Sequence, residues 1–353
     1  MSGRVLLAPD RAGPRSAVAL GRRRRARRRG AVVGALGLLV LALLATTLMV
    51  GETFYTPDEV LRTILGQTVP GASFTVGELR LPRASTGLLT GAAFGVAGVA
   101  FQTMLRNPLA APDVIGISSG ASAAAVIGIV LLELDEATTS VVAVVAALLT
   151  AGVISGLAYR DGVAGTRLIL IGIGVSAMLD SVVSYVLLHA AAFDVQTAMR
   201  WLSGSLNGAT WEQLAPLALA MLLAGPVLLS QERDLGLLRL GDESAAGLGV
   251  RVERTRIVVV LAAVTLIAFA TAAAGPIAFV AFLSGPIAAR LVGPSGPLML
   301  PSALVGAALV LGGDLIGQSA LGDRYPVGVV TGVLGAPYLV HLLIRTNRAG
   351  GSL

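Results

Sequence analysis

The chain has 353 residues, of which 55% are hydrophobic and only 13% charged, with 26 basic residues, 20 acidic residues and no cysteine. Ordinary soluble domains carry about 25% charged residues, and a soluble helix needs a charged face recurring every turn, a pattern missing here. Composition therefore excludes a soluble multidomain protein, a disulfide scaffold and thiolate chemistry. Every basic residue is arginine, so the lysine that a standard P-loop sends to nucleotide phosphates is absent and ATP energy has to come from another subunit.

Residues 1–30 read as a basic, disordered tail, with Arg22, Arg23, Arg24, Arg25, Arg27, Arg28 and Arg29 directly before the first apolar run. That run is longer than the apolar core of a signal peptide and ends without a small-residue cleavage site, so it reads as a retained span. About 20 apolar residues cross a ~30 Å hydrocarbon layer as a helix. That ruler selects ten segments, at 31–50, 84–104, 114–132, 139–158, 168–190, 211–230, 257–273, 276–292, 301–320 and 327–344. The predicted fold is all-α and polytopic: one ten-helix transmembrane domain over 31–348, followed by a short tail, 349–353.

Arginine asymmetry orients the spans. With the basic tail inside, Arg106, Arg160, Arg167, Arg233, Arg239, Arg251, Arg254, Arg256, Arg290, Arg345 and Arg348 also fall inside, whereas Arg62, Arg80, Arg83, Arg200 and Arg324 fall outside. Both termini are then cytoplasmic. The basic cluster is suited to anionic lipid rather than nucleic acid.

Within the second segment, Gly91, Gly95 and Gly98 lie on nearly one helical face and predict close helix approach. Pro276, Pro286 and the Asn107–Pro108 step predict broken helices. Non-helical backbone at membrane depth persists only where protein buries it or a water-filled cavity solvates it, which favours a pathway-forming bundle over an anchor. Asn107 and Pro108 read as a structural turn, with a contribution to a cytoplasmic gate as the second reading. Asp180 and Asp314 fall inside apolar spans, where a carboxylate is costly; each could line a pathway or relay protons, or be satisfied structurally by neighbouring polar groups, with Asp180 the candidate pathway residue. His189 and His341 are far apart near span ends and read as interfacial rather than metal-binding. Trp201 and Trp211 read as interface anchors. Between the sixth and seventh segments, Gly241, Asp242 and Glu243 open a short amphipathic stretch in which Ala245, Leu248 and Val250 recur at near-helical spacing, with Gly249 able to end the helix.

Three stretches carry a resemblance to a known family: LRLPR (79–83) with GAAFGVAGVAFQTMLRNPLAAPDVIGISSGA (91–121), GDESAAGLGVRVERTR (241–256), and AGPIAFVAFLSGPIAAR (274–290) with YPVGVVTGVLGAPYLVHLL (325–343). Together they resemble the FecCD-type permeases of binding-protein-dependent importers for iron–siderophores, haem and vitamin B12. RDGVAGTRLILIGIGVSAML (160–179) and GSLNGATWEQLAP (204–216) resemble ferric-enterobactin permease subunits in particular.

The resemblance implies a ten-span protein in the bacterial plasma membrane that pairs with a second permease subunit, either itself or a sister chain, around a central pathway. It also implies cytoplasmic ATP-binding subunits and an extracytoplasmic solute-binding protein. Arg80 and Arg83 would dock the binding protein, and Gly241, Asp242, Glu243, Ala245, Leu248 and Gly249 would form the coupling helix that seats on the ATPase. No cofactor, metal or catalytic residue is implied. The expected cargo is a ferric catecholate siderophore; vitamin B12, haem or a hydroxamate siderophore would use the same framework. One departure stands out: where relatives usually carry a histidine, this chain has Pro286, so no histidine role transfers and local helix geometry is expected to differ. The other class of function compatible with the residues is an ion-coupled secondary transporter working through Asp180; an intramembrane enzyme lacks a recognisable catalytic set.

Overall fold

The structure, a computed structural model, describes residues 14–111, 116–158, 165–293, 296–320 and 323–348. The tail 349–353, residues 1–13 and Arg160 lie outside the described residues. Within them every regular element is a helix: α1 (Pro14–Met49), α2 (Pro57–Ile64), α3 (Ala72–Phe74), a π-helical turn at Thr75–Arg80, α4 (Leu81–Met104), α5 (Ile117–Val130), α6 (Glu136–Ala158), α7 (Gly165–Leu188), α8 (Ala192–Leu202), α9 (Trp211–Ser230), α10 (Glu232–Leu238), α11 (Asp242–Gly247), α12 (Val252–Ala274), α13 (Val280–Val292), α14 (Met299–Ser319) and α15 (Val327–Arg348). Among the described residues, seven helices are long and apolar enough to cross a membrane, and three shorter apolar helices accompany them at Ile117–Val130, Val280–Val292 and Val327–His341. Each predicted apolar segment falls on one of these helices.

The differences from the sequence expectation have local causes. Residues 14–30 are not an irregular tail but the first turns of α1, since arginine and alanine are both strong helix formers. Two segments are shortened by backbone that cannot stay helical. Gly116, at φ +88°, starts α5 late. Gly275, at φ +70°, ends α12, and the chain stays irregular until Phe279.

Helix α4 sits at the centre of the bundle, packed on α14, α12, α13, α9 and α1. Its contact with α14 is made by backbone. A methyl group at Gly91 would collide with the Gly306 carbonyl, one at Gly95 with that of Ser302, and one at Gly98 with that of Ala281 on α13. The face read from the sequence is therefore the packing seam, where small residues let main chains touch. Around it Phe94, Phe101, Ile117, Leu217, Leu266 and Ile267 form a buried core.

Several contacts fix which helix ends share a face. Arg106, just past the end of α4, reaches Asp242 of α11, which also holds Arg256 of α12. Glu232 of α10 accepts the Met299 amide at the start of α14 at 2.8 Å, and Arg28 of α1 donates to the Leu291 carbonyl at the end of α13. These ends form a basic face, so α4 runs towards it while α12 runs away from it. On the opposite face, Trp211 Nε1 donates to the Gly77 carbonyl at 3.2 Å. Thr56 caps α2 there in a reciprocal box with Glu59, and Asp135 accepts from the Ala137 and Thr138 amides at the start of α6.

Candidate functional site

Arg80 and Arg83 both turn onto their own chain. Arg83 lies in the first turn of α4, and its Nε and Nη2 donate to the two carboxylate oxygens of Asp314 on α14 at 2.9 and 2.7 Å. The Asp314 side chain is only 3% exposed and that of Arg83 20%. A buried charge without a partner costs several kcal/mol, so the two carry each other, and the structural reading of Asp314 acquires its partner. Arg80 donates to the carbonyls of Leu48 (2.9 Å) and Thr53 (2.6 Å) and lies 5.1 Å from the centre of the Tyr55 ring. Arg83 is thus committed to an intramolecular pair, and Arg80, half-buried, clamps the 48–55 segment. The motif alone could not show this, because Asp314 is 231 residues away in the chain.

On the basic face, Gly241 at φ +104° swings the chain from α10 into α11. The Asp242 carboxylate accepts from Arg256 at 2.9 and 3.0 Å and from Arg106 at 3.2 Å. This places the α11 start against the ends of α4 and α12. Ala245 and Val250 are buried, Glu243 is exposed, and the Leu248 amide closes the helix on the Ser244 carbonyl before Gly249 at φ +90°. Leu248 is 60% exposed, whereas Ala245 and Val250 are buried. A short helix locked by three charged groups, presenting an apolar leucine outward, is a rigid element with a free contact surface.

The Asn107–Pro108 step is a closed turn. Asn107 Oδ1 accepts the Leu109 amide at 2.9 Å, and the Asn107 carbonyl accepts that of Ala110 at 3.1 Å. Asp180 is exposed on α7, and among the described residues its carboxylate has no hydrogen-bond or ionic partner; Ser184 donates only to its main-chain carbonyl. Leu170, Ile173, Met178 and Tyr185 on the same helix are exposed as well. Trp201 borders an outer cavity of about 460 Å³ that also receives Glu136, Arg200, Asn207 and Gln213. His189 Nδ1 pairs with its own Tyr185 carbonyl at 2.9 Å.

Among the described residues, no ionisable side chain lines a second cavity, of about 590 Å³. It is bounded by Ser118, Ser119 and Ser122 of α5, by Leu109, and by the irregular 276–279 stretch with Phe282. Phe279 occupies the left-handed region at φ +66°, ψ −15°, which costs a non-glycine residue about 1–3 kcal/mol. Space for it comes from α15, where a methyl group on Gly335 would lie 2.6 Å from Phe279 Cβ and Cγ. Close by, Pro286 lies inside α13 and cannot donate to the carbonyl four residues back. That carbonyl, Phe282, instead accepts the Gln102 amide from α4 at 2.9 Å. The expected change in helix geometry at Pro286 is thus absorbed by a side chain from a neighbouring helix, and α13 continues unbroken to Val292. Gln102 was missed by sequence reasoning; a proline inside an apolar helix was its one available signal.

The sequence model described as the FecCD transport family matches residues 38–345. The ferric enterobactin transport system permease protein FepG of Escherichia coli K12 is 41% identical over 82% of this chain and 88% of its own length. The achromobactin transport system permease protein CbrC of Dickeya dadantii is 38% identical over 87% and 89%, and the iron(3+)-hydroxamate import system permease protein FhuG of Bacillus subtilis 35% over 88% and 95%. Among solved structures, one described as an inward-facing metal-chelate type ABC transporter superposes with a TM-score of 0.80 at 26% identity, covering 90% of this chain and 99% of that one.

Proposed function

The chain belongs to the FecCD transport family, and from that premise we propose that it is the permease subunit of an ATP-driven importer that carries a ferric catecholate siderophore of the enterobactin type into the cytoplasm. It is a multi-pass membrane protein whose relatives are transport permeases. The observation that carries the finer reading is the 41% identity to the ferric enterobactin permease, against 35% to the hydroxamate permease. In this reading all ten apolar helices span the cytoplasmic membrane, and both termini lie on the cytoplasmic side with the basic face.

Partner roles follow the two faces. The α11 element, from Gly241 through Gly249, transmits the movement of cytoplasmic ATPase subunits to α4 and α12, supported by the Asp242 clamp and the outward Leu248. A solute-binding protein docks on the opposite face, where Arg80 keeps a partly exposed guanidinium and Arg83 holds α4 to α14 beneath it. A second permease chain packs against α7, because an exposed Asp180 among apolar residues is poorly suited to lipid. Asn107 and Pro108 close the cytoplasmic end of the pathway. The chain hydrolyses nothing itself.

The test is reconstitution with the cognate ATPase and binding protein in vesicles. Uptake of radiolabelled ferric catecholate, ferric hydroxamate and cobalamin is compared with and without ATP. ATP-dependent uptake led by the catecholate is expected; uptake driven by a proton or sodium gradient without the ATPase would instead establish a secondary transporter.

A further inference from the structure

We propose that the 590 Å³ cavity is the substrate-contact chamber of this subunit, and that Phe279 is the residue in it that recognises the aromatic rings of the transported chelate. This rests on the importer reading above and names the site and side chain through which a catecholate would be distinguished.

The location comes from chain direction. Leu109 and Ala111 follow the end of α4 on the basic face, whereas Pro276–Phe279 follow the end of α12 on the other face, yet all of them border this one cavity. The space is therefore approached by backbone returning from both sides of the membrane. Much of that backbone is not helical, and lipid cannot satisfy its polar groups. A hydrated chamber does so, which makes it a stretch of pathway rather than a lipid-facing groove.

The chemistry comes from the wall. A chamber of a few hundred Å³ with apolar sides and a few polar groups is typical of sites for small organic ligands. Phe279 and Phe282 meet edge to face, with ring centres 6.4 Å apart and an interplanar angle of 88°, the arrangement aromatic rings favour. Ser118, Ser119 and Ser122 bring hydroxyls from α5. Rings beside hydroxyls suit a ligand that is itself an aromatic ring with an oxygen-bearing edge. The backbone gives further support. A left-handed phenylalanine and the absent side chain of Gly335 are both needed to hold this one ring at the chamber wall, and strain of this kind concentrates at functional positions.

The experiment uses the complete importer in vesicles, supplied with binding protein loaded with an iron-labelled tris-catecholate. Phe279→Leu is expected to slow initial uptake about three- to tenfold, the scale of one lost aromatic contact, and Phe279→Trp to restore most of it. Equal losses for both variants, or no loss for Phe279→Leu, would overturn the assignment. Independently of how residue 279 tolerates change, a photoreactive benzoylphenylalanine at Leu339 should capture the labelled chelate during turnover; absence of capture in a transporting complex would also overturn it. Wild-type import of ferric hydroxamate but not catecholate would sink the aromatic assignment and leave the importer intact. No ATP-dependent import of any chelate would sink the importer reading itself.

Discussion

Gln102 Nε2 donates at 2.9 Å to the Phe282 carbonyl, the acceptor that Pro286 strips of its helical partner. The bond joins α4 to α13 and takes the place of a main-chain hydrogen bond missing inside α13. An unsatisfied buried carbonyl costs about 1–3 kcal/mol. Gln102→Ala should therefore destabilise the folded protein by that amount. Placed on a Pro286→Ala background, which returns the main-chain donor, the same substitution should cost much less. Thermal unfolding of the four purified proteins in detergent gives the coupling directly; additive losses would show that the two positions are independent.

The Arg83–Asp314 pair makes a second prediction with an internal control. Removing one member of a buried pair strands the other, at about 3–5 kcal/mol. Arg83→Met and Asp314→Leu should each lower the melting temperature sharply. The double replacement should recover most of the loss, because two apolar side chains strand no charge. If the double variant were as weak as the singles, the pair would have a role beyond mutual neutralisation.

Leu248 is exposed, whereas Ala245 and Val250 beside it are buried, so Leu248→Asp should leave folding unchanged within about 0.5 kcal/mol. In the reconstituted importer it should reduce substrate-stimulated ATP hydrolysis and uptake together, by roughly tenfold if about 1.4 kcal/mol of subunit contact is lost. Unaltered ATPase stimulation would remove α11 from the coupling path.

Glu59 tests the pH response of the outer elements. Hydrogen bonds from the Thr56 amide and hydroxyl hold its carboxyl below the usual glutamate range. A lowered folded value means the cap stabilises α2 above the unfolded pKa, and that stabilisation is lost as pH falls through the folded one. Amide exchange in α2 should rise on acidification across that window, once the intrinsic exchange rate is corrected for pH. Glu59→Gln should flatten the response.

The sequence made the helices legible because apolar length is a local property. It also revealed the α4 seam, since Gly91, Gly95 and Gly98 share a face whatever they touch. The pairings were not legible. Arg83 with Asp314, Gln102 with Phe282 and Arg106 with Asp242 join residues 136–231 positions apart, and no spacing rule links them. Burial was not legible either: Leu248 shares the near-helical spacing of Ala245 and Val250 but, as the residue that caps α11, is exposed. The irregular backbone at 275–279 was signalled by Gly275 and Pro276, but the left-handed Phe279 was not.

The backbone contacts of α4 with α13 and α14 have a mechanical consequence. Where carbonyls seat against Gly91, Gly95 and Gly98 the main chains touch and cannot slide, and the Arg83–Asp314 and Gln102–Phe282 bonds pin the same helices, so these three behave as a fixed frame. Motion driven from the basic face has to be absorbed elsewhere, and the cavity-lining irregular stretch Gly275–Phe279 adjoins that frame.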